Sequence, residues 1–442
     1  MLNATTTNQS IVNARILAEM AVQFNIGADI LGKGNRFIEK YLGAEKMSGD
    51  TVMVPVVDSG KVFETLDLSG QDLSVQRDAV PVSVGPLSTA AMIDQETLTL
   101  SIKDPAVMGK RVAKLAMTAN SKAYKCLVGN ALNAVVIAAS DIANNAGVAG
   151  RNKFYDAFAL CDGSKLDGET YGVCNPLVWA KLIAMFQSNY APNSKEGSDL
   201  YKNELGPLGG LTWTKSNQLE QFTAATITAT VALSYTGLYG DRAIQAPEAV
   251  SSVGMPTVTV AGGSSATVDD FFVKKEEGAL SQPFSLTGVY STDLFGQSTG
   301  RLAIFHFVAD TVEAGTVTTA HLAGPVFFEG PRQNVYSASY NASTKQLAAT
   351  SVVNVLTNGT AYLAPAVIWK RNDFLVAVKG LEKFYGMDSL TVPTQYRDKG
   401  ILPLRGTAWT DPEKAATIFR VDVLLGMAAY TRTSMCAIYI AA

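Results

Sequence analysis

Apolar positions change their period several times along this chain, and each change marks a different kind of element. From Ser10 to Phe24 (SIVNARILAEMAVQF), Ile11, Val12, Ile16, Leu17, Met20 and Phe24 recur at helical spacing, which predicts an amphipathic helix. It precedes Gly27 and the glycines of Gly32–Gly34 and reads as an arm that docks on something rather than as part of a central core. From Asp50 to Leu87 the period becomes two. Val52, Val54 and Val56 alternate with Met53, Pro55 and Val57, and Val80, Val82 and Val84 repeat the pattern, so two strands are expected. Between them lie Asp58, Lys61, Glu64, Asp67, Asp72, Arg77 and Asp78. The stretch reads as a long, exposed two-stranded excursion, which is marginal alone in water and is expected to pack on a neighbour.

The helical period returns after Asp104, a capping residue, and Pro105, which suits a first helical position. Val112, Leu115, Ala119, Tyr124, Leu127, Ala131, Leu132 and Val135 keep one face apolar. About thirty residues of helix, roughly 45 Å at 1.5 Å per residue, are expected to form a strut, weakened locally by Gly109 and Gly129. Short helices are predicted at FYDAFALC and PLVWAKLIAMFQ. From Ala225 to about Ala349 short Thr/Val/aromatic runs separated by glycine (ATITATVALSYTGLYG, PTVTVAGG, PFSLTGVYS, RLAIFHFVAD, AGTVTTAHL) replace them, the pattern of a small all-β barrel or sandwich. Phe284, Leu286, Val289, Leu302, Ile304, Phe305, Phe307 and Val308 are its expected core residues. The class is therefore α+β, with a β-rich insertion at roughly Phe222 to Thr350 inside a larger mixed body. Within PAVIWKRNDFLVAVKGL (Pro365 to Leu381), the Lys370–Asp373 cluster separates two apolar runs and reads as a break between buried segments.

Composition narrows the function classes. The 442 residues are 47% hydrophobic and 17% charged, enough apolar material for real cores and too little charge for a disordered chain. The formal net charge is -3, and no basic run is longer than Lys274-Lys275, so no nucleic-acid-binding face is expected. Cys126, Cys161, Cys174 and Cys436 form no C-x-x-C pair and read as buried, inert thiols. The first residues, MLNATTTNQS, lack the basic and apolar regions of a signal peptide, and no apolar stretch approaches the ~20 residues of a membrane helix. A soluble chain made in a cytoplasm is expected.

Candidate chemistry is sparse. GQSTG (Gly296–Gly300) fits G-x-S-x-G, and Asp310 and His321 follow Ser298 in hydrolase order. The segment after Ser298 alternates like a strand, however, where a nucleophile elbow needs a helix, so a hairpin turn is expected. His306 and His321 are the only histidines and have no third ligand at a characteristic spacing. GKG at Gly32 lacks the strand and further glycines of a phosphate loop. DGSKLDGE from Asp162 puts Leu166 where a calcium loop needs an oxygen. No catalytic, cofactor-binding or metal residue is assigned, no cofactor is expected, and the chain is read as not an enzyme.

Several blocks, in one order, resemble the major capsid (coat) proteins of tailed bacteriophages. The resemblance is strongest to the branch typified by the coat protein of Salmonella phage P-twenty-two, which carries an inserted domain in the Hong Kong-ninety-seven fold. DTVMVPVVDSGKVFETLDLS resembles the start of the family's E-loop, the helix after Asp104 its spine helix, and GLTWTKS the strand leading into the insertion. FSLTGVYSTDLFGQSTGRLAIFHFVAD is the most specific block. RQNVYSASY resembles a later insertion strand, AYLAPAVIWKRNDFLVAV the return to the body, and TIFRVDVLLGMAAYTRTSMCAIYIA the closing strands. YTRTS departs from the Arg-Pro-Glu-like sequence common in the family, so contacts there are expected to differ. The resemblance implies an N-terminal arm at 1–47 and an E-loop with its flanking P-domain strand at 48–100. It further implies a spine helix at 101–150, the first part of an A domain at 151–221, a β-barrel-like insertion at 222–350, and the A/P-domain remainder with closing strands at 351–442. It implies self-assembly through hexamers and pentamers into the icosahedral shell of a virion, after synthesis in the host's bacterial cytoplasm. Scaffolding and portal proteins are the implied partners, with double-stranded DNA packaged inside without specific binding and no membrane partner. The alternatives are a β-rich surface adhesin or ligand-binding protein, and a serine hydrolase built on Ser298.

Overall fold

The computed structural model describes residues 24, 29–39, 51–57, 66–67, 69, 77–94, 106–143, 147–162, 169–186, 211, 213–220, 222–236, 257–261, 271–272, 274–281, 283–293, 296–324, 326–329, 333–344, 346–347, 350–379, 388–391, 404–411, 413, 416–429 and 434–441. Most of the expected arm helix (Ser10 to Phe24), of the excursion between its two strands and of the Asp162–Glu169 segment lies outside them. The described residues form an α+β fold.

In chain order the elements begin with β1 (Asn35–Glu39), β2 (Thr51–Val57), β3 (Arg77–Asp94), α1 (Ala106–Asn130) and β4 (Asn133–Ile137). Next come α2 (Ala139–Ala143), α3 (Val148–Asp162), β5 (Thr170–Cys174), α4 (Pro176–Phe186), β6 (Trp213–Lys215), β7 (Phe222–Thr236) and β8 (Thr257–Ala261). A run of strands follows: β9 (Phe284–Thr292), β10 (Ser298–Phe305), β11 (Phe307–Glu313), β12 (Thr316–Leu322), β13 (Val335–Ser337), β14 (Tyr340–Asn341) and β15 (Gln346–Leu347). The chain closes with β16 (Thr350–Lys370), β17 (Phe374–Lys379), β18 (Asp388–Thr391), β19 (Arg405–Asp411), β20 (Ala416–Ala429) and β21 (Cys436–Ala441).

The chain divides into two compact units. The first comprises Met1–Val54, Pro81–Ala123 and Leu375–Ala428. Its seven-stranded sheet runs β1-β17-β20-β19-β18, with β3 also paired to β20 and β2 to β3. The alternation in Val52, Val54, Val82 and Val84 does what it predicts, because all four are buried. Beside β3, Gly426 of β20 has a structural reason to be glycine. A Cβ there would stand 2.4 Å from the Ser83 carbonyl oxygen, so the two strands approach too closely for any side chain. β3 itself is much longer than the expected strand around Val80–Val84. It pairs antiparallel with β20 from Val84–Gly426 to Asp94–Ala416.

The strut helix is shorter than expected. It stops at Asn130, and Leu132 and Val135, read as part of its apolar face, instead precede and occupy β4. The β-branched run Val135-Val136-Ile137 favours a pleated strand. Asn130 also turns its amide back to donate to the Cys126 carbonyl at 2.8 Å, a side-chain bond typical of helix ends.

The second unit comprises Pro55–Val80, Tyr124–Phe374 and Ala429–Ala442. A mixed sheet runs β4-β21-β16-β5-β6, with β7 paired to β16 and β8 to β7. β16 changes partners along its length: Thr350–Leu363 pairs with β7, Leu363–Ile368 with β21 and Ala366–Lys370 with β5. The strand opens at Thr350, where the insertion was expected to end, and continues to Lys370. β7 is long where a short strand was expected, because its Thr-, Val- and Ala-rich run carries no glycine or proline; β16 keeps its length across Asn358-Gly359, where its pairing with β7 shifts register between Thr357 and Ala361.

Among the described residues, two apolar clusters stand out in this unit. One packs α3 and α4 against the sheet through Phe154, Phe158, Trp179, Leu182, Phe186, Trp213, Ile368 and Ile438. The other lies among the inserted strands, with Phe271, Phe284, Leu286, Val289, Phe305, Phe307, Val317, Phe328 and Val335, joined by Leu132. The sheets there are three-stranded (β10-β9-β13) and two-stranded (β11-β12 and β14-β15). Leu302 corrects the expected core: it is 41% exposed, and Ile304 and Val308 are only half-buried. Strand alternation turns Ala303 and Phe305 inward and so turns Leu302 and Ile304 out.

Candidate functional site

The hydrolase set comes apart in the structure. Ser298 opens β10 in a hairpin with β9, paired to Thr292. Gly296 and Gly300 on either side adopt φ of 73° and 74°, a backbone that side-chain-bearing residues rarely take. The Ser298 hydroxyl is occupied locally, accepting a hydrogen bond from the Gly300 N–H at 3.1 Å. Asp310 and His321 do meet, through Oδ1 and Nδ1 at 2.5 Å, since β11 and β12 form a hairpin with Val308 opposite His321. Among the described residues no hydrogen bond joins Ser298 to that pair. The sequence order is thus a hairpin turn followed by a second hairpin's cross-strand pair.

The histidines do not share a ligand. His306 is buried between β10 and β11, with Nδ1 2.8 Å from the Ser281 carbonyl and Nε2 2.7 Å from the Tyr439 hydroxyl. A carbonyl oxygen can only accept, so Nδ1 carries the proton and Tyr439 donates to Nε2. Among the described residues no group of three His, Cys, Asp or Glu side chains is placed to hold a metal. The four cysteines are free, with Cys161, Cys174 and Cys436 buried and Cys126 half-buried. Burial pushes the Cys436 thiol up to about 12 and raises Cys161 and Cys174 as well, so these three are poor nucleophiles.

The Lys370–Asp373 break is a 3-10 turn between β16 and β17 with two opposite surfaces. Arg371 and Asn372 are exposed, while Lys370 and Asp373 are buried. Asp373 receives a hydrogen bond from the Ser434 hydroxyl, and the Ser434 carbonyl accepts one from the Cys161 thiol at 2.9 Å. Burial drives the Asp373 carboxyl well above the usual carboxylate range, against the backbone N–H and the ammonium of Lys370. The cluster pins the end of α3, the turn and the start of β21. It is closed to solvent, so it is structural.

What faces solvent is of another kind. Leu66, in the stretch between β2 and β3, is fully exposed. Its neighbour Asp67 closes a local turn by accepting the Ser69 N–H at 2.9 Å, and bonds to Ser69 hold the Asp67 carboxyl below its ordinary value. Leu302, Tyr290 and Tyr336 stand side by side across β10, β9 and β13, with Leu302 and Tyr336 exposed. Sequence reasoning also missed a basic face on α1. Its lysines and arginine are dispersed in the chain, and only the 3.6-residue period gathers them.

No protein-family model matches the sequence, and no curated protein matches it. Among solved structures, the chain is similar to one from Mycobacterium phage Che8, with 10% identity and a TM-score of 0.40 over 88% of this chain and 85% of that one. It is similar to the capsid of cyanophage P-SCSP1u, with 9% identity and a TM-score of 0.42 over 92% and 86%. A virus-like particle from Pyrococcus furiosus gives 8% identity and a TM-score of 0.39 over 95% and 98%.

Proposed function

We propose that this chain is a major capsid protein that self-assembles into the icosahedral head shell of a tailed double-stranded DNA bacteriophage. The observation that carries the reading is the order of elements, taken with the sequence blocks quoted above. A strand pair (β2 and β3) flanks an excursion with a fully exposed leucine, and a 25-residue helix follows. The β-rich insertion leaves and rejoins one sheet through β7 and β16, and β20 and β21 close the chain. On this reading residues 1–47 are the arm, 48–100 the E-loop with its flanking strand, and 101–150 the spine region. Residues 151–221 begin the A domain, 222–350 are the insertion, and 351–442 complete the A and P domains.

The mechanism is geometric and needs no reacting group. Head-to-tail contacts between identical subunits close into rings, here hexamers and pentamers, and many weak contacts acting together make a durable shell. Scaffolding and portal proteins are the partners in assembly, and double-stranded DNA is the cargo. Synthesis takes place in the host's cytoplasm. Electron microscopy of the purified chain, alone and with a scaffolding protein, tests the reading. Closed particles or large rings are expected, and particles no larger than a compact monomer under every assembly condition would overturn it.

A further inference from the structure

Helix α1 carries Lys110, Arg111, Lys114, Lys122 and Lys125 and no aspartate or glutamate, in a chain whose acidic residues outnumber its basic ones, 39 to 36. At 100° per residue, Lys110, Lys114, Lys122 and Arg111 fall within about a third of the helix circumference. The opposite side holds the buried Val112, Ala116, Ala119 and Ala123, and the buried Leu115 borders the face. Lys110, Arg111, Lys114 and Lys122 are all exposed, as are Met117 and Thr118 between them. Lys125 is half-buried and leans to Glu220 at 3.7 Å. The other four make no ion pair with any described residue. Charges of one sign stacked at helical spacing repel one another, so folding alone gives no reason to gather them.

We propose that this face, Lys110, Arg111, Lys114 and Lys122, binds the phosphate backbone of a nucleic acid without reading its sequence. Twelve residues of helix set the first and last cation about 18 Å apart, about 6 Å between neighbours on average, and B-DNA presents a phosphate about every 3.4 Å of axis along each strand, so each cation has a phosphate within reach. A dense, regular polyanion meets all four cations whatever their exact spacing. Three of the four cations are lysines, compact charges on flexible stems that meet phosphates as points and do not fork onto base edges. An acidic protein segment would need an apolar face to accompany its charges, and Met117 is the single large apolar side chain exposed among the described residues of this helix. The inference does not rest on the shell-forming reading and holds for the unassembled chain.

The test is fluorescence anisotropy of a labelled, mixed-sequence DNA duplex with the full-length chain, across a salt series. A polyglutamate peptide of equal charge is the second probe. The wild type is expected to bind the duplex at low salt, with affinity falling steeply as salt rises. Lys114→Gln/Lys122→Gln should reduce the slope of log affinity against log salt by about 2, at roughly 0.9 per lost phosphate contact. The quadruple Gln variant should lose at least tenfold in affinity with unchanged circular dichroism. Lys274→Gln/Lys275→Gln, an exposed basic pair elsewhere, should bind like the wild type. No binding by the wild type, an unaltered slope in the α1 variants, or an equal loss in the Lys274/Lys275 variant would overturn the proposal. Polyglutamate bound as tightly as DNA would overturn it in favour of an acidic protein partner.

Discussion

The two cores of the second unit are both built around aromatic rings, yet they are assembled differently. In the helix-and-sheet core Phe154 lies 5.1 Å from Phe158, 5.6 Å from Phe186 and 5.4 Å from Trp213. Its residues come from Val135 to Ile440, so it closes only when distant parts of the chain meet. In the inserted strands Phe284 stacks on Phe307 at 4.5 Å and neighbours Phe271 and Phe305. All of that core except Leu132 comes from Phe271 to Val335. The first core is a long-range construction and the second nearly a local one, which fits a segment able to order itself within a host fold. Where they meet, the buried Leu132 is joined by polar contacts: His306 with Tyr439, Ser291 with Asn133 at 2.7 Å, and the Ile304 N–H with the Leu132 carbonyl at 3.2 Å.

The largest effects should come from breaking either core alone. Trp213→Ala and Phe307→Ala each remove a buried aromatic ring and are expected to cost about 3–5 kcal/mol. Hydrogen exchange should separate them. Phe307→Ala is expected to release amides across 284–322 while those of β5 and β21 stay protected, and Trp213→Ala should release β5 and β21. Equal loosening everywhere in both variants would merge the two cores into one cooperative unit.

A second cut goes through the junction. Tyr439→Phe removes the donor to His306 in a buried site, which should cost about 1–3 kcal/mol and loosen the insertion more than α3 and α4. An unchanged thermal midpoint would show that the junction adds nothing. Asp373→Asn probes the corresponding buried group on the body side. The Asp373 carboxyl is raised above its ordinary 3.8, so its contribution to stability is whole below that value and is lost as pH rises through the higher folded value. The variant should therefore flatten the decline in stability on going from acid towards neutral pH. A decline as steep as in the wild type would contradict the assignment. The smallest effect belongs to Ser298→Ala, below about 1 kcal/mol, with assembly intact. A hydrolytic activity that vanished in this variant would return Ser298 to the list of catalytic groups.

Much of this was legible in the sequence because it rests on local periodicity. The valines of β2 and β3, the insertion phenylalanines and helices α3 and α4 all follow from spacing. The end of α1 was not, because Ala131 to Val135 continues a helical pattern that the β-branched run and the pairing of β4 with β21 override. Leu302 looked like core because composition cannot say which face of β10 points inward. The break at Lys370–Asp373 was legible, but the burial of Asp373 was not, because its partner Ser434 lies 61 residues away in the chain. The basic face of α1 is hidden for the opposite reason: its charges form no run along the chain and are grouped only by the turn of the helix.

In a shell-forming subunit, the stretch between β2 and β3 should join one copy to the next. Sedimentation velocity of the wild type beside Glu64→Lys/Asp67→Lys, each with scaffolding protein present, tests it most directly. Single exposed ion pairs contribute only ~0–1 kcal/mol, so two reversals repeated over every subunit are needed for a clear signal. A fast boundary of shells or large rings is expected for the wild type, and a slow monomer boundary with unchanged circular dichroism for the double variant. Identical fast boundaries would remove the excursion from the interface, and a wild type that sediments only as a monomer would contradict the capsid reading itself.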